Sequence, residues 1–144
     1  MNESQLAARL SDTSSFRHWV REAIRFSDQD SSGRVTSTAY LSFAEAGRLA
    51  FVYGVLLPER AAGERFILAR NRLRSLADAH WPGEVSIGTC LTTIGTRSLT
   101  VGSGLFVAGR PIGWAEAVIA YRRDGQTAAL GEALRARLTA LLHA

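Results

Sequence analysis

Residues 26–57 decide the fold, and they read FSDQDSSGRVTSTAYLSFAEAGRLAFVYGVLL. The first half of this stretch is polar, with two aspartates, a glycine and several hydroxyl residues, a composition typical of a turn. The second half places apolar residues around most of a helix over residues 39–55, and a helix of this kind is buried on most sides. The sequence therefore predicts a polar turn that leads into a buried helix, with Ser37 or Thr38 as its N-terminal cap.

The segments around this helix predict an antiparallel sheet that wraps it. Alternation of polar and apolar residues predicts strands over residues 17–26, 66–76, 84–94, 98–107 and 112–121. Short turns rich in glycine and proline connect the last four, so we expect these four strands to form a meander. A leucine stripe predicts a C-terminal helix within residues 127–142, capped by Thr127. We expect residues 1–15 to form an N-terminal arm with a short helix, and residues 16–144 to form a single domain.

The composition narrows the class of protein. A chain of 144 residues suits one domain with a core that needs no disulfide, and Cys90 is the only cysteine, which fits a reducing compartment. The longest apolar run, residues 49–57, is too short to span a membrane, so we expect a soluble cytoplasmic protein. The seventeen basic residues are all arginines scattered along the chain, which argues against a nucleic-acid partner. His18, His80 and His143 lack the spacing of metal ligands.

A spaced set of residues runs through the turn and the helix, and it consists of Asp28, Asp30, Gly33, Val35, Tyr40, Phe43, Glu45 and Arg48. This set resembles the pattern D-x-D-x-x-G-H-V-N-N-x-x-Y-x-x-Y-x-E-x-x-R of the 4-hydroxybenzoyl-CoA thioesterase-like branch of hotdog-fold acyl-CoA thioesterases. Arg34 stands where that branch usually has histidine, and Thr36-Ser37 replaces an asparagine pair. The resemblance extends over about residues 17–142. It implies an α+β hotdog fold, in which a five-stranded antiparallel sheet wraps a long central helix and a C-terminal helix follows.

The resemblance also implies a reaction, the hydrolysis of a small or aromatic acyl thioester to the free acid and coenzyme A. In such enzymes the second aspartate of the pair, here Asp30, is the base or nucleophile, and amides at the helix N-terminus hold the carbonyl oxygen. We expect Asp28 to be structural. The expected substrate-binding residues are Gly33, Arg34, Ser37, Thr38, Tyr40 and Glu45, and the expected contacts to coenzyme A are Arg97 and Arg110.

The resemblance further implies a homodimer or homotetramer with the site between subunits. The substrate is an acyl-CoA or acyl-carrier-protein thioester, and we expect neither a metal nor a cofactor, because coenzyme A is part of the substrate.

Several alternatives stay open. Glu45 competes with Asp30 as the working carboxylate, although its spacing from Arg48 also predicts an ion pair on the helix surface. A hotdog dehydratase or hydratase is the nearest enzymatic alternative, and it would need a histidine beside the carboxylate, which the turn lacks. A protein that binds acyl-CoA or acyl-carrier protein without turnover is the alternative from another class, because a fold does not fix a function.

Overall fold

A computed structural model describes residues 1–58 and 61–142 of the chain. In that part the chain forms three α-helices, α1 (Glu3–Leu10), α2 (Ser37–Phe51) and α3 (Glu132–Leu142). It also forms the strands β1 (His18–Ala23), β2 (Glu64–Ser75), β3 (Glu84–Ile94), β4 (Ser98–Val107), β5 (Arg110–Arg123) and the short β6 (Gln126–Thr127). His143 lies outside the described residues. None of the helices within these ranges combines the length and the hydropathy that crossing a membrane requires.

The strands form one antiparallel sheet in the order β1-β3-β4-β5-β2, with β6 paired to the end of β5. This curled sheet around α2, with α3 at the C-terminus, confirms the predicted fold class. The predicted four-strand meander is wrong, because β2 pairs with β5 from Glu64↔Arg123 to Ser75↔Gly113 and only β3, β4 and β5 are consecutive neighbours. The alternation of polar and apolar residues identifies a strand but not its partner. Residues 76–83 carry the chain from β2, at one edge of the sheet, across to β3, which lies next to β1 at the other edge.

The inner face of the sheet and α2 form the main core. Tyr40, Phe43 and Ala44 of α2 pack with Ile87 of β3 and Leu105 of β4 in one buried cluster. A second cluster joins the end of α2 to α3 through Phe51, Leu56, Leu99, Leu130 and Leu138. The expectation that the helix is buried on most sides is therefore wrong. One face of α2 packs on the sheet and its C-terminal end meets α3, but Leu49 is 46% exposed and Ala50 is exposed too, so the opposite face of the helix is open in one chain.

The N-terminal segment covers the opposite face of the sheet. Leu10 and Phe16 are buried there against Phe106 and Trp114. The next residues along these strands, Leu105 and Ala115, point to the other face and belong to the main core. A Cβ at Gly88 would collide with the ring of Phe16, so that strand position must be glycine for the segment to lie flat. The predicted short helix is present as α1, and it is packed on the sheet through its leucines.

Several predicted boundaries are wrong for local reasons. The cap of α2 is Thr36, whose Oγ1 accepts a hydrogen bond from the amide of Ala39 at 3.1 Å, so Ser37 and Thr38 lie inside the helix. The α-helix ends at Phe51, and residues 52–56 form a π-helical turn. Thr127 belongs to β6 and does not cap α3. The first strand ends at Ala23, because residues 26–28 form a 3-10 turn.

Candidate active site

A tight loop between β1 and α2 positions Asp30. An isolated bridge between Gln29 and Val35 closes the loop, and the amide of Asp30 donates to the carbonyl of Arg34 at 2.8 Å. Gly33 has a φ of +80°, in the left-handed region that glycine adopts at little cost. The loop conformation thus depends on its own backbone hydrogen bonds and on this glycine.

The Asp30 carboxylate is held by one of its two oxygens. Oδ1 accepts hydrogen bonds from the amide of Ser32 at 2.8 Å, from its hydroxyl at 2.7 Å and from the amide of Arg34 at 3.1 Å. Oδ2 has no hydrogen-bond partner within residues 1–58 and 61–142. The carboxylate is therefore oriented through Oδ1, while Oδ2 remains available to water or to a ligand.

These hydrogen bonds also set the charge of Asp30. The hydroxyl of Ser32 and the amide of Arg34 lower the pKa of the Asp30 carboxyl below its ordinary value, because both donate to the ionised form. The side chain is exposed to solvent, which keeps the opposing effect of burial small. Asp30 is consequently ionised at neutral pH.

The N-terminus of α2 has two free amides, and the first of its residues, Ser37, lines the same cavity as Asp30. The amide of Tyr40 donates to the carbonyl of Thr36 at 3.1 Å and the Thr36 hydroxyl takes the amide of Ala39, so both are occupied. The amides of Ser37 and Thr38 have no acceptor in the described part of the chain. First-turn amides of this kind carry the positive end of the helix dipole and suit a negatively charged oxygen.

The carboxylate and the helix N-terminus open onto one cavity of about 280 Å³. Its lining includes Asp30, Thr36 and Ser37 from the loop and the helix, together with Ser75 at the end of β2 and Asp78 from the segment that follows. Because residues of three chain segments meet there, the cavity exists only in the folded chain. It places a free carboxylate oxygen and a helix N-terminus at one surface.

Most of the predicted substrate-binding residues lie at or beside this cavity, with different contacts. Arg34 is exposed at its mouth, where Nε donates to the Ser32 hydroxyl at 3.1 Å and Nη1 lies 3.8 Å from Oδ2 of Asp78. Tyr40 lines the cavity but is buried, and its hydroxyl donates to the carbonyl of Ala77 at 2.7 Å. Gly33 contributes the loop backbone, while the side chains of Ser37 and Thr38 are exposed.

Burial raises the pKa of the Tyr40 hydroxyl, and the nearby charge of Asp78 acts in the same direction. The phenol is therefore neutral at physiological pH and serves as a hydrogen-bond donor to the segment after β2.

The remaining predicted residues lie elsewhere. Glu45 is on α2, eight residues beyond Ser37 and about 12 Å along the helix axis, and it does not line this cavity. Arg97 and Arg110 flank opposite ends of β4, a strand of 10 residues and therefore about 33 Å long. Arg110 is at the cavity end, where the carbonyl of Ile112 accepts the amides of Leu76 and Ala77. Within one chain the structure does not bring Arg97 and Arg110 together.

The two neighbouring carboxylates, Asp28 and Glu45, each pair with an arginine on the same stretch of chain. Asp28 is buried, and it accepts hydrogen bonds from the amide of Arg25 at 2.7 Å and from its guanidinium at 3.1 Å, so its structural role is confirmed. Glu45 and Arg48 do form an ion pair, at 3.5 Å. The pair does not lie wholly on the surface, because Arg48 is buried while the Glu45 side chain is 58% exposed.

Sequence reasoning missed Ser75, Asp78 and His80. Asp78 lines the cavity opposite Asp30, and Nδ1 of His80 lies 2.8 Å from the carbonyl oxygen of Gly33, which is a hydrogen bond when Nδ1 carries the proton. Both belong to the crossing segment 76–83, which contacts the loop because the amide of Val35 donates to the carbonyl of Ala79. In the sequence, these residues stand out only as polar residues in a loop between two strands, and any surface loop contains such residues. Within the described ranges, no three His, Cys, Asp or Glu side chains lie close enough to hold a metal ion.

Solved structures of other proteins share this architecture. A thioesterase from Thermus thermophilus, crystallised with coenzyme A and zinc, is 27% identical over 90% of this chain and 97% of its own, with a TM-score of 0.78. A thioesterase-superfamily protein from a Jannaschia species has a TM-score of 0.79 at 23% identity, over 89% of this chain and 84% of its own. A hypothetical protein from Thermus thermophilus has a TM-score of 0.78 at 22% identity, over 87% and 99%.

No protein-family model matches the sequence, and no curated protein matches it either. The likeness therefore comes from three-dimensional structure. The structural neighbours are thioesterase-superfamily proteins, and this chain has their hotdog fold.

Proposed function

We propose that this chain is an acyl-CoA thioesterase of the 4-hydroxybenzoyl-CoA thioesterase-like branch, and that Asp30 carries the reaction. The observation that supports this most is that one cavity is lined both by a carboxylate with a free oxygen and by Ser37, the first residue of α2, whose amide is free. The structural likeness to a thioesterase that binds coenzyme A adds the class of substrate. The proposed substrate is a small or aromatic acyl thioester of coenzyme A or of acyl-carrier protein.

Two routes are open to Asp30. As a base, Oδ2 takes a proton from water while the oxygen of that water attacks the thioester carbon. As a nucleophile, Oδ2 attacks that carbon itself to form a mixed anhydride, which water then hydrolyses. In both routes the carbonyl oxygen becomes negative, the carbon–sulfur bond breaks, and the thiolate of coenzyme A leaves and takes a proton.

Both routes need Asp30 in its ionised form, and its lowered pKa is consistent with either of them. Rapid quenching followed by intact-mass measurement distinguishes the routes, because only the nucleophilic one adds the mass of the acyl group to the protein.

The amides of Ser37 and Thr38 are the proposed donors to the negative oxygen. Removal of one such donor from an enzyme typically costs about 3 kcal/mol in transition-state stabilisation. Arg34, held at the mouth by Ser32 and Asp78, is the proposed contact for an anionic group on the substrate, because its planar fork matches a carboxylate or a phosphate. The reaction uses water and needs no cofactor, and the reduced Cys90 fits a cytoplasmic location.

A dimer or a dimer of dimers is part of the proposal. The edge strand β2 presents Ile67 and Leu68 with exposures of 40% and 44%, and a long open edge of this kind favours pairing with another chain. Light scattering coupled to size exclusion measures the assembly, and a monomer at micromolar concentration would contradict this part of the proposal.

The test is turnover of a panel of acyl-CoA and acyl-carrier-protein thioesters, followed by thiol release. Asp30→Asn and Asp30→Ala should each lower kcat by about 10²- to 10⁴-fold, the usual contribution of a positioned carboxylate. Asp12→Asn is the matched control, because Asp12 accepts the same pair of hydrogen bonds from the amide and hydroxyl of Ser14 but does not line the cavity, and this variant should keep the activity. Undiminished turnover in either Asp30 variant would rule out the assignment.

The same panel separates the alternatives. A hydratase would add water to an enoyl-CoA without releasing thiol. A binding protein would retain acyl-CoA in equilibrium dialysis and release no thiol from any member of the panel.

A further inference from the structure

Arg48 is a buried cation that the proposed reaction does not use. The residue is 5% exposed, on the face of α2 that turns toward β2. Its Nη2 lies 3.5 Å from Oε2 of Glu45, and this long contact is its one ion pair within residues 1–58 and 61–142. A guanidinium has five N–H donors, so most of the hydrogen-bonding capacity of Arg48 has no protein partner in the described part of the chain.

The guanidinium borders a cavity of about 180 Å³ whose walls are mainly apolar. Val52 of the π-helical turn, Phe66 and Leu68 of β2 and Ile119 of β5 form those walls, and Glu45 lies at the rim. The volume is below the roughly 300–1,000 Å³ of sites that take drug-sized ligands, so only a small molecule fits. The cavity combines an apolar interior with a single fixed positive charge.

Stability does not account for this charge. Removing a guanidinium from water is costly unless close hydrogen bonds replace the lost hydration, and one contact of 3.5 Å to an exposed carboxylate replaces little of it. The same burial lowers the pKa of Arg48, and the charge of Glu45 opposes the shift only in part. An apolar side chain of similar length would fill the same space without that cost.

We propose that this cavity is a binding site for a small carboxylate with an apolar body, whose charged end meets Arg48. The carboxylate would satisfy the free N–H donors and neutralise the buried charge, while its hydrocarbon part fills the space between α2 and β2. Ser37 and Arg48 are eleven residues apart on α2, about 16 Å along the axis, so this site is separate from the Asp30 cavity. The proposal does not depend on the proposed hydrolysis.

The experiment compares two ligands that differ only in charge. Hexanoate and its neutral analogue hexanamide are titrated into the full-length protein by calorimetry, and thermal unfolding is followed with each. Hexanoate should bind at least about tenfold more tightly and raise the midpoint of unfolding, because a hydrogen bond to a charged group is worth a tenfold or larger factor. Equal affinity for the two ligands, or no binding of hexanoate, would overturn the proposal.

Three variants locate the site. Arg48→Met should lose the preference for hexanoate. Its thermal midpoint should be kept or raised, because the exposed Glu45 carboxylate stays hydrated and no unpaired charge is left in the interior. Glu45→Gln should retain hexanoate binding. Arg34→Gln removes the cation of the Asp30 cavity and should also retain it.

Loss of binding in Arg34→Gln, or the same loss in Glu45→Gln as in Arg48→Met, would place the ligand elsewhere and refute the assignment. If Arg48→Met does not fold, the two-ligand comparison on the wild-type protein and on Arg34→Gln still decides the question.

Discussion

Gly47 lies where α2 packs on β3, and its replacement by alanine tests how the central helix is seated. A Cβ at this position would lie 2.5 Å from Cγ2 of Ile87 and 2.9 Å from Oγ1 of Thr89. Ile87 is 0% exposed and Thr89 is 2% exposed, so neither side chain has solvent to move into. The added methyl group must therefore push the helix away from the sheet.

Two effects of opposite sign determine the result. Alanine is the better helix former by about 1 kcal/mol, which favours the variant. Overpacking a filled core typically costs about 1–3 kcal/mol, and a carbon–carbon distance more than ~1 Å inside the optimum belongs at the upper end of that range. We expect Gly47→Ala to lower the free energy of unfolding by about 2 kcal/mol.

Gly54→Ala is the matched control, because a Cβ at Gly54 would meet nothing within 4 Å. It restricts the unfolded chain without a collision and without a positive φ in the folded one, and should raise the free energy of unfolding by up to about 1 kcal/mol. Urea unfolding followed by circular dichroism measures both variants against wild type, with the slope m checked for constancy. A Gly47→Ala protein as stable as wild type, or more stable, would show that the helix is not held against Ile87 and Thr89 as described.

Two further predictions concern the proposed site. Thr36→Ala removes the acceptor for the amide of Ala39 and should lower the free energy of unfolding by about 1 kcal/mol, whereas Thr36→Ser keeps the acceptor and should not lower it. Urea unfolding measures both variants, and equal losses would contradict the capping role. Because the pKa of Asp30 lies below its ordinary value of 3.8, kcat/KM for the best thioester should stay level down to about pH 5 and fall only at still lower pH. A fall in kcat/KM near neutrality, where histidine titrates, would assign the rate to another group.

The lowered pKa of Asp30 also implies that its contribution to the stability of the fold is lost at low pH. A carboxyl whose folded-state pKa is lowered stabilises the fold above its unfolded pKa, and this contribution is lost as the pH falls through the folded value. Asp30 is fully exposed, so its effect on stability is small and the kinetic profile is the informative measurement.

The elements with strong local patterns could be predicted from the sequence. The predicted bounds of β3 and β4 match the structure, because apolar residues recur along both strands and glycine-containing turns mark their ends. The position of β2 could not be predicted, since its partners on β5 lie far away in the sequence, from Ser75↔Gly113 to Glu64↔Arg123, and alternation does not encode which distant strand pairs. For the same reason the crossing segment, with Asp78 and His80, could not be assigned to the site.

The N-terminal cap of α2 shows a different limit. Thr36, Ser37 and Thr38 are consecutive hydroxyl residues, and each can cap a helix. Only the backbone decides between them, and Thr36 has the extended ψ of 158° that a cap residue needs. The choice has chemical consequences, because the cap determines which first-turn amides remain free. The sequence therefore predicts a helix N-terminus at the site but not the identity of its donors.

The positions where the chain departs from the family pattern differ in their consequences for chemistry. Thr36 replaces an asparagine, and since either side chain caps a helix, the first turn of α2 keeps its free amides. Ser37 contributes its amide, which any residue but proline would supply. Arg34 replaces a histidine at the cavity mouth, where it adds a permanent charge held between Ser32 and Asp78. If the proposed function holds, these substitutions leave the proposed amide donors intact and act mainly on which acyl group enters.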